Sequence, residues 1–445
     1  MRVRLESLGC RLNIAELEHI ARQLLAAGHS VVGPGETADV CILNTCAVTH
    51  IAARKSRQSI RQLRQALPAA RLIATGCFAT LEADQVRALG ADLVLDNRAK
   101  EHLAEKITQL QTGPSPELDV PTFAGLPDRS AVEADAPYPG ARTRAFLKVQ
   151  DGCDNACTYC VVRIARGPGR SRPADQVVGE VQRLAAMGYH EVVLSGVHLG
   201  SYGADIGERR GLFELVRRLL NETGIPRLHL SSLEPWDVTA DFFGLWEDRR
   251  LGRHVHLPLQ SGCDATLRRM GRRITAKGFA ELVAAGRAAI PDLSVTTDVM
   301  VGFPAESEAE FADSLAFVEA MAFAKLHVFR YSPRAGTPAA RLPGRIPPAA
   351  AAERSQRMQM LSARQERSFR RGFVGRTLDV LWETSERRDG GRLWSGLTDN
   401  YLRVFAPGGE ALRNGITPVH LTGDTADGLR GEILPNNKSQ ISNDK

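Results

Sequence analysis

Residues 145–160 read AFLKVQDGCDNACTYC, a strand-like apolar run at 145–149 that ends on three cysteines spaced C-x3-C-x2-C. Three thiolates on one short loop can reach three corners of a four-iron cubane. No fourth ligand stands nearby, because neither His nor Cys recurs between Cys160 and His190. A structural zinc site closes with four ligands, so Cys153, Cys157 and Cys160 point instead to a cluster with one open iron, able to bind and reduce a small molecule. The same register sets the architecture. Short apolar runs recur at 191–194, 227–230, 254–257, 294–298 and 326–329 with helical patterns between them. Six strand–helix units predict a partial (β/α)6 barrel whose site lies at the C-terminal ends of its parallel strands.

Upstream, runs at 2–8, 39–44, 71–75 and 92–95 alternate with helical patterns near 14–27, 50–66, 82–89 and 99–110. This alternation predicts an open parallel sheet with right-handed crossovers. Cys10, Cys46 and Cys77 each follow one of these runs, in LGC, NTC and TGC, 36 and 31 residues apart. Loops after successive parallel strands share one sheet edge, where ligands of open α/β sheets bind. The three cysteines are therefore expected to meet as a second three-thiolate site. Cys41, inside VCIL, and Cys263, in LQSGCDATL, join neither group and read as small packed thiols.

Downstream, the pattern changes near 368 to short alternating runs such as 377–382 and 401–405, separated by Gly, Asp and Asn. About sixty-five residues of this kind fit a small antiparallel barrel resembling oligonucleotide-binding folds. Between the two α/β segments, residues 112–141 hold six prolines, five acids and one base, Arg129. That composition cannot bury a core and reads as a linker. The organisation expected is thus α/β at 1–111, linker at 112–141, barrel at 142–367, small β-barrel at 368–433 and a frayed tail at 434–445.

Charge and composition narrow the function. Among 445 residues, 57 Lys and Arg against 51 Asp and Glu give +6, which permits a polyanionic partner without requiring one. The linker carries −4, so the folded segments carry +10. Eight cysteines are too sparse for a disulfide scaffold. No apolar run reaches the eighteen residues of a membrane span, and the N-terminus MRVRLESLGCRLN has no signal-peptide core. A reducing cytoplasm is expected. No G-x4-G-K-[ST] occurs, so nucleoside triphosphate hydrolysis has no support. Between Asp39 and Glu82 there is no acid, and Arg54, Arg57, Arg61 and Arg64 recur at helical spacing with Lys55 beside them. Arg166 and Arg170 follow the C-x3-C-x2-C loop. These two basic patches are the expected RNA contacts. Ser195, Gly196, Glu234 and Asp298, at the ends of barrel strands, are the expected cofactor contacts. His254 and His256 read as hydrogen-bonded structure, and no side chain is assigned an acid–base role.

DGCDNACTYC followed by ARGPGRSR resembles the radical S-adenosylmethionine enzymes, and SLGCRLN, NTCAVT and ATGC narrow the resemblance to their methylthiotransferases. NTCAVT with KSRQSIR, and LSGVHLGSYG, are most similar to the branch acting on threonylcarbamoyladenosine. Arg163 stands where a proline is usual, and GFPAES at 302–307 replaces the commoner GFPGET. The resemblance implies an N-terminal methylthiotransferase domain, a radical barrel and a C-terminal TRAM domain. It implies two [4Fe-4S] clusters, one on Cys153, Cys157 and Cys160 and an auxiliary one on Cys10, Cys46 and Cys77. Two molecules of S-adenosylmethionine are implied, one as radical source and one as methyl donor. The implied partners are a tRNA anticodon stem-loop, modified at adenine C2 of position 37, and a low-potential one-electron donor such as flavodoxin or ferredoxin. A monomer without a membrane partner is expected. The alternatives are the same chemistry on isopentenyladenosine tRNA or a ribosomal protein, and a non-catalytic iron–sulfur RNA-binding regulator.

Overall fold

The computed structural model of the chain describes residues 1–109, 142–388, 391–409 and 412–435. The Pro-rich stretch 112–141 and most of the tail lie outside them. The first unit is a five-stranded sheet in the spatial order Ser30–Val32, Arg2–Ser7, Val40–Thr45, Arg71–Gly76, Leu93–Val94. Every pairing in it is parallel. The central strand Val40–Thr45 is buried at all six positions, which is why it reads as a continuous apolar run rather than an alternating one. The edge strand Ser30–Val32 was not expected, since three residues are too few to show a period. The first helix runs from Arg11 to Ala26, three residues earlier than its apolar periodicity predicts. Its N-cap, Cys10, makes no side-chain capping bond, so no Ser, Thr or Asp marks the start.

The second unit has six parallel strands, Arg144–Lys148, Glu191–Ser195, Arg227–Leu230, His254–His256, Ser294–Val301 and Lys325–Arg330. Two three-stranded sheets are joined by the parallel bridges Leu228–Leu251 and Ser232–His256, giving the partial barrel. Alternation along each strand sends Leu147, Val192, Leu194, Leu228, Val255, Val295 and Leu326 outward into one apolar core with the surrounding helices. The intervening positions face a polar lumen. On the first strand's inner side, Ala15 and Ile14 of the helix Arg11–Ala26 pack against Phe146 and Val193, so the N-terminal unit covers part of the open barrel.

The third unit is a closed barrel of five strands, Thr377–Arg388, Gly391–Thr398, Arg403–Gly408, Ile416–Asp424 and Leu429–Ile433. Four of its pairings are antiparallel, as expected. The fifth, between Arg403–Gly408 and Leu429–Ile433, is parallel, a closure that alternation in single strands does not reveal. This barrel docks under the larger one. Arg253 pairs with Asp399 at 2.6 Å, Arg144 with Glu383 at 2.9 Å, and Tyr401 stacks on His229 with centroids 4.3 Å apart.

Candidate functional site: two cysteine triads joined by a buried charge network

Cys153, Cys157 and Cys160 lie on the loop after the first barrel strand, and all three are partly exposed. The loop depends on Gly152, whose φ is +73° and where an added Cβ would stand 1.9 Å from the Pro168 carbonyl oxygen. Gln150 braces the turn by donating to the carbonyls of Asp151 and Gly152 at 3.1 and 2.9 Å. Thr158 pins the far side, its amide donating to Met270 O and its hydroxyl to Arg269 O, both at 2.9 Å. Arg272 brings a guanidinium to 3.9 Å from Cys157 Sγ and pairs with Glu234 at 2.8 Å. Burial pushes the Cys160 thiol up to about 12, and the charges of Cys157 and Cys153 add to it. Burial likewise raises the Cys157 thiol, and a metal that replaces a thiol proton relieves that cost.

The second triad assembles as expected from the strand spacing. Cys10, Cys46 and Cys77 each stand just beyond a strand's C-terminal end. A Cβ built on Gly9 would lie 2.6 Å from Cys46 Sγ, so the Cys10 loop rests directly on Cys46. Burial pushes the Cys46 thiol up to about 11, with the charges of Cys10 and Cys77 contributing. Cys46 and Cys77 are 5% exposed while Cys10 faces solvent. Ser56, buried in the helix His50–Ala66, accepts from the Cys46 amide at 3.1 Å and donates to its carbonyl at 2.8 Å.

The short helix Val162–Arg166, directly after Cys160, joins the two triads. Asn97 lies 3.8 Å from Cys77 Sγ and donates to Ala165 O at 2.8 Å. Asn13 lies 3.8 Å from Cys10 Sγ and accepts from Arg166 at 2.9 Å. Arg166 also binds Glu16 at 2.8 Å and Asp151 at 2.9 Å, and Lys100 and Lys148 complete the network against Glu16 and Asp151. Burial opposes the charge on Arg166, but Glu16 and Asp151 hold its pKa well above the ordinary value. Asp151, although buried, is held down to about 2 by Lys148 and Arg166. Through Asn97, Asn13 and Arg166, this one helix is tied to residues beside Cys77 and Cys10 of the second triad.

Among the described residues, no three His, Cys, Asp or Glu side chains gather tightly enough to hold a single metal. Cubane thiolates each bind a different iron and need not converge on a point.

The other expected site residues divide. Glu234 faces the barrel cysteines through Arg272. Asp298 lies in the lumen, 3.4 Å from His256. Ser195 is 1% exposed, and Gly196 seats Gln150, whose Oε1 would stand 3.0 Å from an added Cβ. These two therefore back the cysteine loop. Among the basic residues, Arg54, Lys55 and Arg61 face solvent. Arg57 is half-buried over the Phe78 ring, and Arg170 lies 3.8 Å from Asp151. Arg166, expected to contact RNA, is instead 3% exposed and wholly engaged in the network. Arg64, partly exposed, is engaged within the fold, pairing with Asp92 at 2.5 Å and donating to Ala70 O at 3.1 Å. His254 and His256 both bond Thr296 Oγ1 at 2.9 Å. Cys41 and Cys263 are buried.

Sequence reading missed His198, Asn13, Asn97 and Arg272. His198 meets Asp237 at 2.5 Å and stands near enough to Cys153 to feel its charge. Burial lowers its pKa, but those two partners raise it to about 10. It stands two residues beyond Gly196 in the quoted LSGVHLGSYG, and that adjacency was the available signal.

The fold as a whole is that of radical S-adenosylmethionine enzymes. A TsrM methyltransferase of this class from Kitasatospora setae aligns with TM-score 0.56 at 15% identity, over 76% of this chain and 77% of that one. The radical SAM superfamily model matches residues 147–318, and an uncharacterized protein family, UPF0004, matches 2–96. The threonylcarbamoyladenosine tRNA methylthiotransferase MtaB of Thermotoga maritima is 37% identical over 86% of each chain, and that of Bacillus subtilis 34% over 94% of this chain and 93% of its own. The tRNA-2-methylthio-N(6)-dimethylallyladenosine synthase of Novosphingobium aromaticivorans is 36% identical over 97% of both. The chain belongs to the radical S-adenosylmethionine tRNA methylthiotransferases.

Proposed function

We propose that this enzyme methylthiolates N6-threonylcarbamoyladenosine at C2 of the adenine beside the tRNA anticodon, position 37, using two [4Fe-4S] clusters and two molecules of S-adenosylmethionine. The observation that carries this reading is the pair of three-cysteine loops set on either side of the helix Val162–Arg166. A C2–H bond has no acidic proton and no leaving group, so acid–base or nucleophilic chemistry has nothing to act on there. Cys153, Cys157 and Cys160 would hold a cluster, and such a cluster with S-adenosylmethionine would supply the one-electron, hydrogen-abstracting chemistry that the C2–H bond requires. Glu234, Arg272 and His198 surround that loop and shape where the cofactor lies. Cys10, Cys46 and Cys77 hold the auxiliary cluster, with Cys10 as its solvent-facing member. Arg54, Lys55 and Arg61 offer phosphate contacts on the helix that starts four residues after Cys46. Val48, Ile51 and Ile164 are about half exposed beside the cysteine loops, a surface suited to unstacked loop bases. The five-stranded barrel serves as the TRAM-type RNA module, and a flavodoxin or ferredoxin supplies electrons.

A strain lacking the gene is expected to lose 2-methylthio-N6-threonylcarbamoyladenosine from bulk tRNA, measured by mass spectrometry. Persistence of that nucleoside with loss of the isopentenyl form would move the enzyme to the other branch. Anaerobic reconstitution is expected to give about eight irons per chain and reductive cleavage of S-adenosylmethionine. Full clusters with no cleavage would favour a regulator.

A further inference from the structure

The barrel lumen contains a cation that neither cysteine triad requires. Arg11, next to Cys10, is solvent-exposed. It makes no ion pair or hydrogen bond with a described residue, and its described contact is the Tyr401 ring, 5.5 Å away. Tyr401 closes the floor of the lumen, stacked on His229 and tilted against His254 with centroids 4.4 Å apart. Arg11 therefore leaves the helix Arg11–Ala26 and reaches inward between barrel strands. The other walls agree with this placement. Burial lowers the pKa of both His254 and His327, which stand on different strands, and the Arg11 charge adds to each.

His254, His256, Thr296 and Asp298 give the lumen a polar wall. His254 is 3% exposed and its Nδ1 has no hydrogen-bond partner. His327 and Phe329, on the last strand, face solvent, with Phe329 40% exposed. The lumen carboxylate of Asp298 is already opposite His256, so it does not claim Arg11.

We propose that Arg11 reads the free carboxylate of the amino-acid substituent on N6 of the target adenosine, and so sets the substrate branch. This rests on the reading of the chain as a threonylcarbamoyladenosine enzyme and names the residue behind it. Three points favour it. Arginine presents a planar fork that matches a carboxylate bidentately. Arg11 adjoins Cys10, so a substituent held by it keeps the adenine beside the auxiliary triad. N6 and C2 flank N1 on one edge of the base, which lets a single grip on the N6 group orient C2. An isopentenyl group would strip water from Arg11 and return no hydrogen bond. Sites built to pair with a polar group reject analogues lacking it far more strongly than apolar pockets reject extra atoms.

The test uses the reconstituted full chain with anticodon stem-loops that carry threonylcarbamoyl, its neutral carboxamide, or isopentenyl at the same adenine. The wild type is expected to favour carboxylate over carboxamide by about a hundredfold in kcat/KM. Arg11→Gln is expected to bring the two within a few-fold, and Arg11→Lys to keep part of the preference. Iron content and the KM for S-adenosylmethionine are read in parallel. Equal loss on both acylated loops, lost iron, or a raised KM for S-adenosylmethionine would each overturn the proposal, assigning Arg11 to the fold, the cluster or the cofactor. A wild type that modifies only the isopentenyl loop would overturn the substrate reading itself. A wild type active on threonylcarbamoyl with an indifferent Arg11→Gln would overturn only the role of Arg11.

Discussion

Two residues carry local conflicts whose release is measurable. Ala305, in GFPAES, has φ +60°, the left-handed region, and its amide donates to Gly344 O at 2.7 Å. A Cβ there costs about 1–2 kcal/mol, partly offset by the entropy a glycine loses on folding. Ala305→Gly is therefore expected to stabilise the protein by about 0.5–1 kcal/mol, seen as a higher denaturant midpoint at unchanged slope. Glu18 is the second case. Burial raises its carboxyl from 4.5 to about 7, although the Phe146 amide donates to it and Arg22, Arg142 and Arg144 favour its charge. The folded state thus holds its proton more tightly than the unfolded chain. That stability is fully present below pH 4.5 and disappears as pH rises through 7, a change of about 3 kcal/mol at most. Glu18→Gln keeps an acceptor for Phe146 and removes the proton, so variant and wild type should match near pH 4 and separate in the variant's favour by pH 8. Parallel stability curves across that range would show that Glu18 does not titrate with folding.

At the scale of elements, the cysteine loops are separable because each depends on its own glycine. Gly152→Ala drives a methyl into the Pro168 carbonyl, and Gly9→Ala drives one into Cys46, at 1.9 and 2.6 Å as built. Reconstituted Gly152→Ala is expected to hold about four irons and to lose S-adenosylmethionine cleavage, whereas Gly9→Ala holds about four and still cleaves it. A full iron complement in either variant would show that the loop tolerates the methyl. What was legible in the sequence follows the same division. Strand order and a spacing of one strand–helix unit placed Cys10, Cys46 and Cys77 on one edge, because parallel topology leaves little freedom there. The partners of those loops were not legible. Asn13, Asn97 and Arg166 act across contacts 153 and 68 residues long, and no local period records which way such side chains turn. The edge strand Ser30–Val32 and the parallel pair in the small barrel escaped for a related reason, since both are set by neighbours rather than by their own pattern.

Across the whole molecule, charge separates into cations that bind the protein to itself and cations left for a partner. The sequence shows Arg54, Arg57, Arg61 and Arg64 as one helical ridge. In the fold, Arg64 closes on Asp92 and the carbonyls beyond its helix, Arg166 is sealed between the N-terminal unit and the barrel, and Arg54 and Arg61 stay in water. Helical spacing could not distinguish these fates, because the counter-charge, buried Glu16 or exposed Asp92, comes from another element. The distinction predicts opposite phenotypes. Each phosphate contact releases counterions, contributing about 0.7–0.9 to the slope of log K against log salt. Arg54→Gln with Arg61→Gln is expected to lower that slope for an anticodon stem-loop by about 1.5 while leaving the thermal midpoint within a degree or two. Arg64→Gln is expected to do the reverse: an unchanged slope, with stability reduced by about 1 kcal/mol through the lost Asp92 pair and helix-end contacts. Should the Arg54/Arg61 double variant bind with the wild-type slope, the RNA path would lie elsewhere, and the cations on the last barrel strand, Lys325 and Arg330, would become the surface to change next.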